Sequence, residues 1–575
     1  MAIRLAHKSA MQTRISISFV IVSTLCLCAD MRVVSGGVQE KPDGVNIDVD
    51  LGRGGLINNE DGSPVLNPDD FRPYIERFNA DDQELYTNTF PNARAWEFLA
   101  ANMPLFECQD KDLELTYYFR WWVYRKHLVK TPDGWVVTEF MPRVSWAGRH
   151  NTVNLTACMH LNEGRWLRDP TYLDDYTRFW FRKGGARHSY TTWLAHAIWG
   201  RAAVTGDEKL PVDILDDLIE YHSIWEQGKA FRGMGGRPNG LFYTSDDRDG
   251  GEVSIGGHGF RPLINGAMYG DRMAIAEIAD RAGRAGVATE FRAKAESLKA
   301  LVQSRLWDKE RQFFMILRED EKSLSDVREL YGLSPWMFHL PDPGYEAGWR
   351  ELDDPKGFKA PFGPTFPEQR HPRFGIWYRG HECQWNGPSW PLATSITLMA
   401  LANLLNDYEQ TAVDRQLFFD TLLTYARSHR RVCEDGRILP WIDENLNPYT
   451  GDWIARTMLL EHAADPKLDP SKKPIPERGK DYNHSTFCDL VISGLVGIRP
   501  QHDDMLVVNP LLPQKAWDWF CLDRALYRGH EVTVIWDRAG TKYGRGKGLQ
   551  VLVDGWVAAR AEGLGRLVVP IRSKQ

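Results

Sequence analysis

The chain has 575 residues, 43 % of them hydrophobic and 26 % charged, which is enough apolar material for a large globular core. A formal net charge of −7 with no basic stripe along the sequence argues against nucleic acid as a partner. The 22 tryptophans point either to a core full of rings or to a cleft whose rings stack on a flat apolar ligand face.

In chain order, MQTRISISFVIVSTLCLCAD comes first. Arg14 precedes an uncharged run from Ile15 to Cys28, and Ala29 follows, so residues 1–29 read as a secretory signal. The run is short for a membrane span, and no later stretch reaches about 18 apolar residues. Leu27 stands where a lipid anchor at Cys28 would want a small residue, so export to the periplasm or beyond, without lipidation, is the expectation. VVSGG (Val33 to Gly37) offers another cleavage exit.

Residues 30–84 are polar and glycine-rich, with turn signals in DGSP and NPDD and no helical period. From 85 to 500 helical periods recur, as in NARAWEFLAANM, YTTWLAHAIWGRAAV, INGAMYGDRMAIAEIADRAG and LATSITLMALANLLND. Long connections rich in glycine, proline and aromatics join them, and loops of that length usually carry function. Paired helices with such loops at one end suggest a mainly α fold, an (α/α)6 toroid. After 500 the period changes: HEVTVIWD, GLQVLVDGWVAAR and GRLVVPI read as short antiparallel strands, a small C-terminal β-sandwich-like domain over 501–575. Six cysteines beyond the leader (Cys108, Cys158, Cys383, Cys433, Cys488 and Cys521) are scattered and read mostly as buried thiols. DVDLGRGG and DDRDGG lack the oxygen spacing of an EF-hand, and no metal-ligand cluster is visible, so no metal and no cofactor are expected.

Several loops carry candidate chemistry. SDDRDGGEVSIGG (Ser245 to Gly257) gathers Asp246, Asp247 and Asp249 between aromatic segments. Such carboxylates form turns and caps, or one of them is kept protonated by apolar surroundings and serves as an acid. RGHECQWNGPSWPLATSIT sets Trp385 and Trp390 across a Gly-Pro turn, with Asn386 between them and Arg379 upstream. That is a rigid loop docked on the core or a platform for a sugar. LPWIDENLNPYTGDW places Trp441 before Asp443 and Glu444, RVSWAGRHNT supplies Trp146, His150 and Asn151, and DYNHST supplies His484. Two carboxylate loops far apart in sequence suit inverting glycoside hydrolysis, where one carboxylic acid protonates the leaving oxygen and another carboxylate activates water.

Over about 90 to 500 the chain resembles the (α/α)6-barrel glycosidases of the mannosylglycerate-hydrolase-like group, related to glycoside hydrolase family 63 and more distantly to trehalases. Against that group, TSDDRDG puts Asp247 at the general-acid position, with Asp249 a close competitor, and DENLNPYTG puts Glu444 at the general base. WNGPSWP resembles the group's substrate-binding WRGPxW segment, and HNTVNLTACMHLNEGRW its early active-site helix region. The acid loop departs from the pattern: no tryptophan precedes the aspartate and no Ser-Pro follows it. The resemblance implies a hydrolase acting on an oligosaccharide or glycoside, and the leader implies that it is secreted. Two alternatives stay open. An (α/α)-barrel polysaccharide lyase would use the Tyr, His and Asn of DYNHST, though no dense arginine cleft for polyuronate is visible. A non-catalytic sugar-binding protein would leave the paired carboxylates idle.

Overall fold

The computed structural model describes residues 64–86, 89–469, 473–475 and 477–572; the leader expected over 1–29 lies outside them. Six segments form an inner ring: Asn154–Gly164, Leu194–Thr205, Pro262–Arg281, the 3-10 turns Leu330–Phe338, Pro391–Asp407 and the π-helical Leu490–Leu495. Each packs on the next. The ring closes through Glu163, whose carboxylate accepts the backbone N–H groups of Cys488 and Asp489 at 2.9 Å each, along with that of Phe487 and the Thr486 hydroxyl. Those amides open the last inner helix and have no partner within it, so Glu163 satisfies them while its charge faces the positive helix end.

Outside this ring, Leu215–Glu226 and Ala285–Arg305 lie against Pro262–Arg281, and Arg415–Ser428 lies against Pro391–Asp407. The expected toroid of paired helices is therefore present. Inner helices show little amphipathicity because they are covered all round: every residue of Asn154–Gly164 is buried. Close packing sets local composition too. A Cβ on Gly270 would stand 2.5 Å from the Phe338 ring, so only glycine lets these two inner segments meet there.

Arg72–Asp81, inside the stretch read as having no helical period, is a helix that buries Ile75 and Phe78. Its two apolar anchors, three residues apart, are enough to dock it on Lys111–His127. That helix is buried along most of its length because Arg72–Asp81 and Ala95–Asn102 cover it.

The C-terminal residues form antiparallel sheets, as expected. A five-stranded sheet runs Leu105–Cys108, Trp519–Tyr527, His530–Asp537, Gly548–Val553 and Trp556–Ala561, so its edge strand comes from far upstream. A three-stranded sheet joins Ile498–Arg499, Met505–Val508 and Leu567–Pro570. Among the described residues all six cysteines are free; Cys383 and Cys433 are partly exposed and the other four buried. No helix among the described residues is long and apolar enough to cross a membrane.

Candidate active site

A cavity of about 250 Å³ lies at the end of the ring where Asn154–Gly164 and Pro391–Asp407 begin. Its wall includes the carboxyl groups of Glu139, Asp247, Glu252, Glu382 and Glu444, together with Trp146, Trp385, Trp390, Tyr482 and His484. Segments distant in sequence thus deliver acidic and aromatic side chains to one space.

Glu444 is buried, and its Oε1 accepts Nε and Nη2 of Arg478 at 2.9 and 2.6 Å. The Cys383 thiol donates to Oε2 at 2.9 Å. Burial, and then the Glu444 charge, push the Cys383 pKa well up, so it remains a thiol donor. A carboxylate offers about four lone-pair sites, so this arrangement leaves one on Oε2 for a water. Arg478 also reaches Glu382 Oε1 at 2.9 Å and lies 5.2 Å from the ring centre of the exposed Trp146. Asp443, adjacent and buried, has its pKa pushed up to about 7 by burial and then by Glu444.

Glu252 stands in the same carboxylate-rich stretch as Asp247, five residues further on, and is half-buried. Gly250 adopts φ 62° to turn the chain there, and the Glu252 carbonyl accepts the Trp385 amide at 3.1 Å, tying the two loops together. Burial, followed by the charges of Glu444, Asp247 and Asp246, raises the Glu252 pKa to about 8. Below that pH its carboxyl carries a proton and can donate it.

Asp247 also faces the cavity, but it is engaged: the Ser245 hydroxyl donates to Oδ1 at 2.5 Å, and Arg248 and Arg232 lie 3.2 and 3.6 Å from Oδ2. Asp249, the competing candidate, points away into the protein, fully buried, with Arg261 Nε on its Oδ2 at 2.7 Å. Glu139, unflagged by the sequence, is raised to about 7 by burial despite hydrogen bonds from Tyr482 and Thr156.

Trp385 and Trp390 line the cavity, yet they also stack on each other at 4.0 Å and are nearly inaccessible. Both readings of that loop therefore hold at once. His484 is buried against Tyr482 and kept neutral by burial; neither ring nitrogen completes a hydrogen bond, with only the Glu444 backbone close by. It is a polar group awaiting a partner.

The other expected site residues do not converge here. Asn386 is buried behind the cavity wall, and Arg379 is exposed outside it. His150 pairs with Asp133 at 2.7 Å. Asn151 binds the backbone of Phe140, Pro142 and Val144 and so shapes the loop that carries Trp146. Trp441 is sandwiched near Arg431 and Arg456. Among the described residues no group of three or more His, Cys, Asp or Glu side chains is placed to hold a metal ion.

Residues 149–485 match the family described as mannosylglycerate hydrolase MGH1-like glycoside hydrolase domain. The chain belongs to this family. Residues 498–557, within the β region, match the C-terminal domain of glycosyl hydrolase family 65. Among solved structures, one described as a sialidase is 39 % identical over 88 % of this chain, with a TM-score of 0.79, and this chain spans 45 % of its length. A GH78 rhamnosidase of a Bacillus species is 14 % identical, with a TM-score of 0.49, covering 78 % of this chain and 41 % of its own. The GH63 mannosylglycerate hydrolase from Thermus thermophilus is 10 % identical, with a TM-score of 0.44, covering 60 % of this chain and 98 % of its own. In this MGH1-like domain the family match spans the loops bearing Glu252, Cys383, Glu444 and Arg478.

Proposed function

We propose that the protein is an exported exo-glycosidase that inverts the anomeric centre, with Glu252 as proton donor and Glu444 as the base that activates water. The carrying observation is the difference between two carboxyl groups on one cavity: Glu252 has its pKa raised to about 8, while Glu444 is ion-paired with Arg478 and keeps a free lone pair. Asp247, expected from the sequence as the donor, instead serves as an anion neutralised by Arg232 and Arg248 beside it.

A cavity of about 250 Å³ falls below the roughly 300–1,000 Å³ of drug-sized ligand sites, so it suits a single terminal ring. The sugar is uncharged in this reading, because the cavity's guanidiniums are paired: Arg248 with Asp247, and Arg478 with Glu444 and Glu382. The same pairing disfavours a polyuronate lyase, and the Tyr482 hydroxyl is already committed to Glu139. A screen on neutral aryl glycosides, a uronide and a sialoside, with NMR of the first-formed anomer, tests the reading. Release of a neutral sugar with inverted configuration supports it; cleavage of the sialoside or uronide alone, or retention, rejects it.

A further inference from the structure

A second cavity of about 430 Å³ occupies the opposite end of the ring, where Asn154–Gly164 and Pro391–Asp407 finish, and shares no residue with the catalytic cavity. Arg165, Arg499, His196, His339 and His502 all face it. Each guanidinium is anchored on one side only. Arg165 holds Asp489 through Nε at 2.9 Å and Ser493 through Nη2 at 3.1 Å, which leaves Nη1 with no acceptor among the described residues. Arg499 uses Nη2 on Asn403 at 2.7 Å and Asp407 at 3.3 Å, and Nη1 is likewise unused.

Burial keeps the His196 and His502 imidazoles neutral, so each has one donor and one acceptor nitrogen. His196 makes no hydrogen bond through its ring and meets only the edge of Phe338, with centroids 5.2 Å apart. His502 lies flat on Trp199 at 3.8 Å, with Nδ1 turned to Glu208 at 3.9 Å. His339 uses Nε2 on Asp407. The carboxylates on the wall are partly in use: Asp489 Oδ1 receives Arg165, Trp166 and Ser493, and Glu277 Oε2 receives the Trp199 indole at 2.5 Å, which leaves the second oxygen of each open. Two partly open guanidiniums, Arg165 and Arg499, therefore face one space together with His196, an imidazole that burial keeps neutral. An anion between them satisfies the open N–H groups and offsets the repulsion.

We propose that this cavity is a second ligand site, which binds a carboxylate or phosphate group carried on a small organic body. The oxyanion sits between Arg165 Nη1, Arg499 Nη1 and His196, and the body rests on the Phe338 and Tyr269 side of the wall. This site is independent of the hydrolytic reading above.

The test uses the full chain, with isothermal titration calorimetry against inorganic phosphate, citrate and glucose 6-phosphate, and with glucose as the uncharged control. Citrate or glucose 6-phosphate is expected to bind one per chain, in the wild type and equally in Glu444→Gln, which keeps the measurement clear of the catalytic cavity. His196→Gln and Arg499→Gln should each weaken that binding about tenfold or more, as expected for losing one hydrogen bond to a charged group, with hydrolysis unchanged. His196→Gln has no native hydrogen bond to lose, so it carries the test if Arg499→Gln folds poorly. Binding of inorganic phosphate with the same sensitivity would assign the site to the free ion and overturn the organic body. Absence of binding by all three anions up to about 10 mM, or binding indifferent to both substitutions, would overturn the site.

Discussion

Replacing Arg478 by glutamine tests how the carboxylate-rich cavity is held together. Arg478 is the guanidinium on Glu444, at 2.6 and 2.9 Å, and it also binds Glu382 at 2.9 Å. Its side chain is 10 % exposed and that of Glu444 1 %. Removing one partner of such a pair leaves a buried charge without its counter-charge and costs about 3–5 kcal/mol. Unfolding entropy near 2.1 cal/mol/K per residue, over the roughly 500 described residues, is about 1 kcal/mol/K, so Tm should fall by about 3–5 °C. The Arg478→Gln/Glu444→Gln double variant, with both charges gone, should regain most of that loss in scanning calorimetry at pH 7 yet remain inactive. A fall below about 1 °C in the single variant, or a double variant that melts no higher than the single, would refute the pairing as the support of Glu444.

Two further outcomes follow from the site. Glu252 carries its proton below about pH 8 and loses it above, so kcat/KM for an unactivated substrate should fall as pH rises through that value; a rate still climbing at pH 9.5 would contradict the shift. Gly479→Ala would put a Cβ 2.0 Å from Asp443 Oδ1 and 3.2 Å from Glu444 Cγ, displacing the proposed base. Its activity should drop about 10²-fold with the fold retained by circular dichroism, and an unchanged rate would show that the loop absorbs the methyl group.

The toroid was legible because helical periods survive in sequence even where tertiary burial blurs one-sidedness, and the strands after 500 announce themselves by β-branched alternation. The edge strand Leu105–Cys108 was not, since its partner lies more than 400 residues away and four residues carry no period of their own. In the site, Glu444, Trp385 and Trp390 stood out through their loops and do line the cavity. Asp249 and Glu252 flank the same two glycines, and nothing local says which one turns inward. That is decided by Arg261, twelve residues on, which takes Asp249; the Glu444 charge then helps raise the pKa of Glu252. Glu139 and Arg478 sit singly in unremarkable segments, Cys383 lies in the tryptophan loop but reads there as a buried thiol, and only the closing of the ring assembles them.

The assignment of proton donor is tested most directly by comparing Glu252→Gln, Asp247→Asn and Asp249→Asn on two glycosides of one sugar, one with a poor alkyl leaving group and one with an activated dinitrophenyl group. Only departure of the poor leaving group needs the proton, so Glu252→Gln should lose about 10²–10⁴-fold on the alkyl glycoside and far less on the dinitrophenyl glycoside. Asp247→Asn should affect both substrates to a similar degree, and Asp249→Asn should act through stability, because its carboxylate is buried on Arg261. Selective loss on the alkyl glycoside in Asp247→Asn, with Glu252→Gln hurting both substrates equally or neither, would move the donor to Asp247 and contradict the mechanism proposed here.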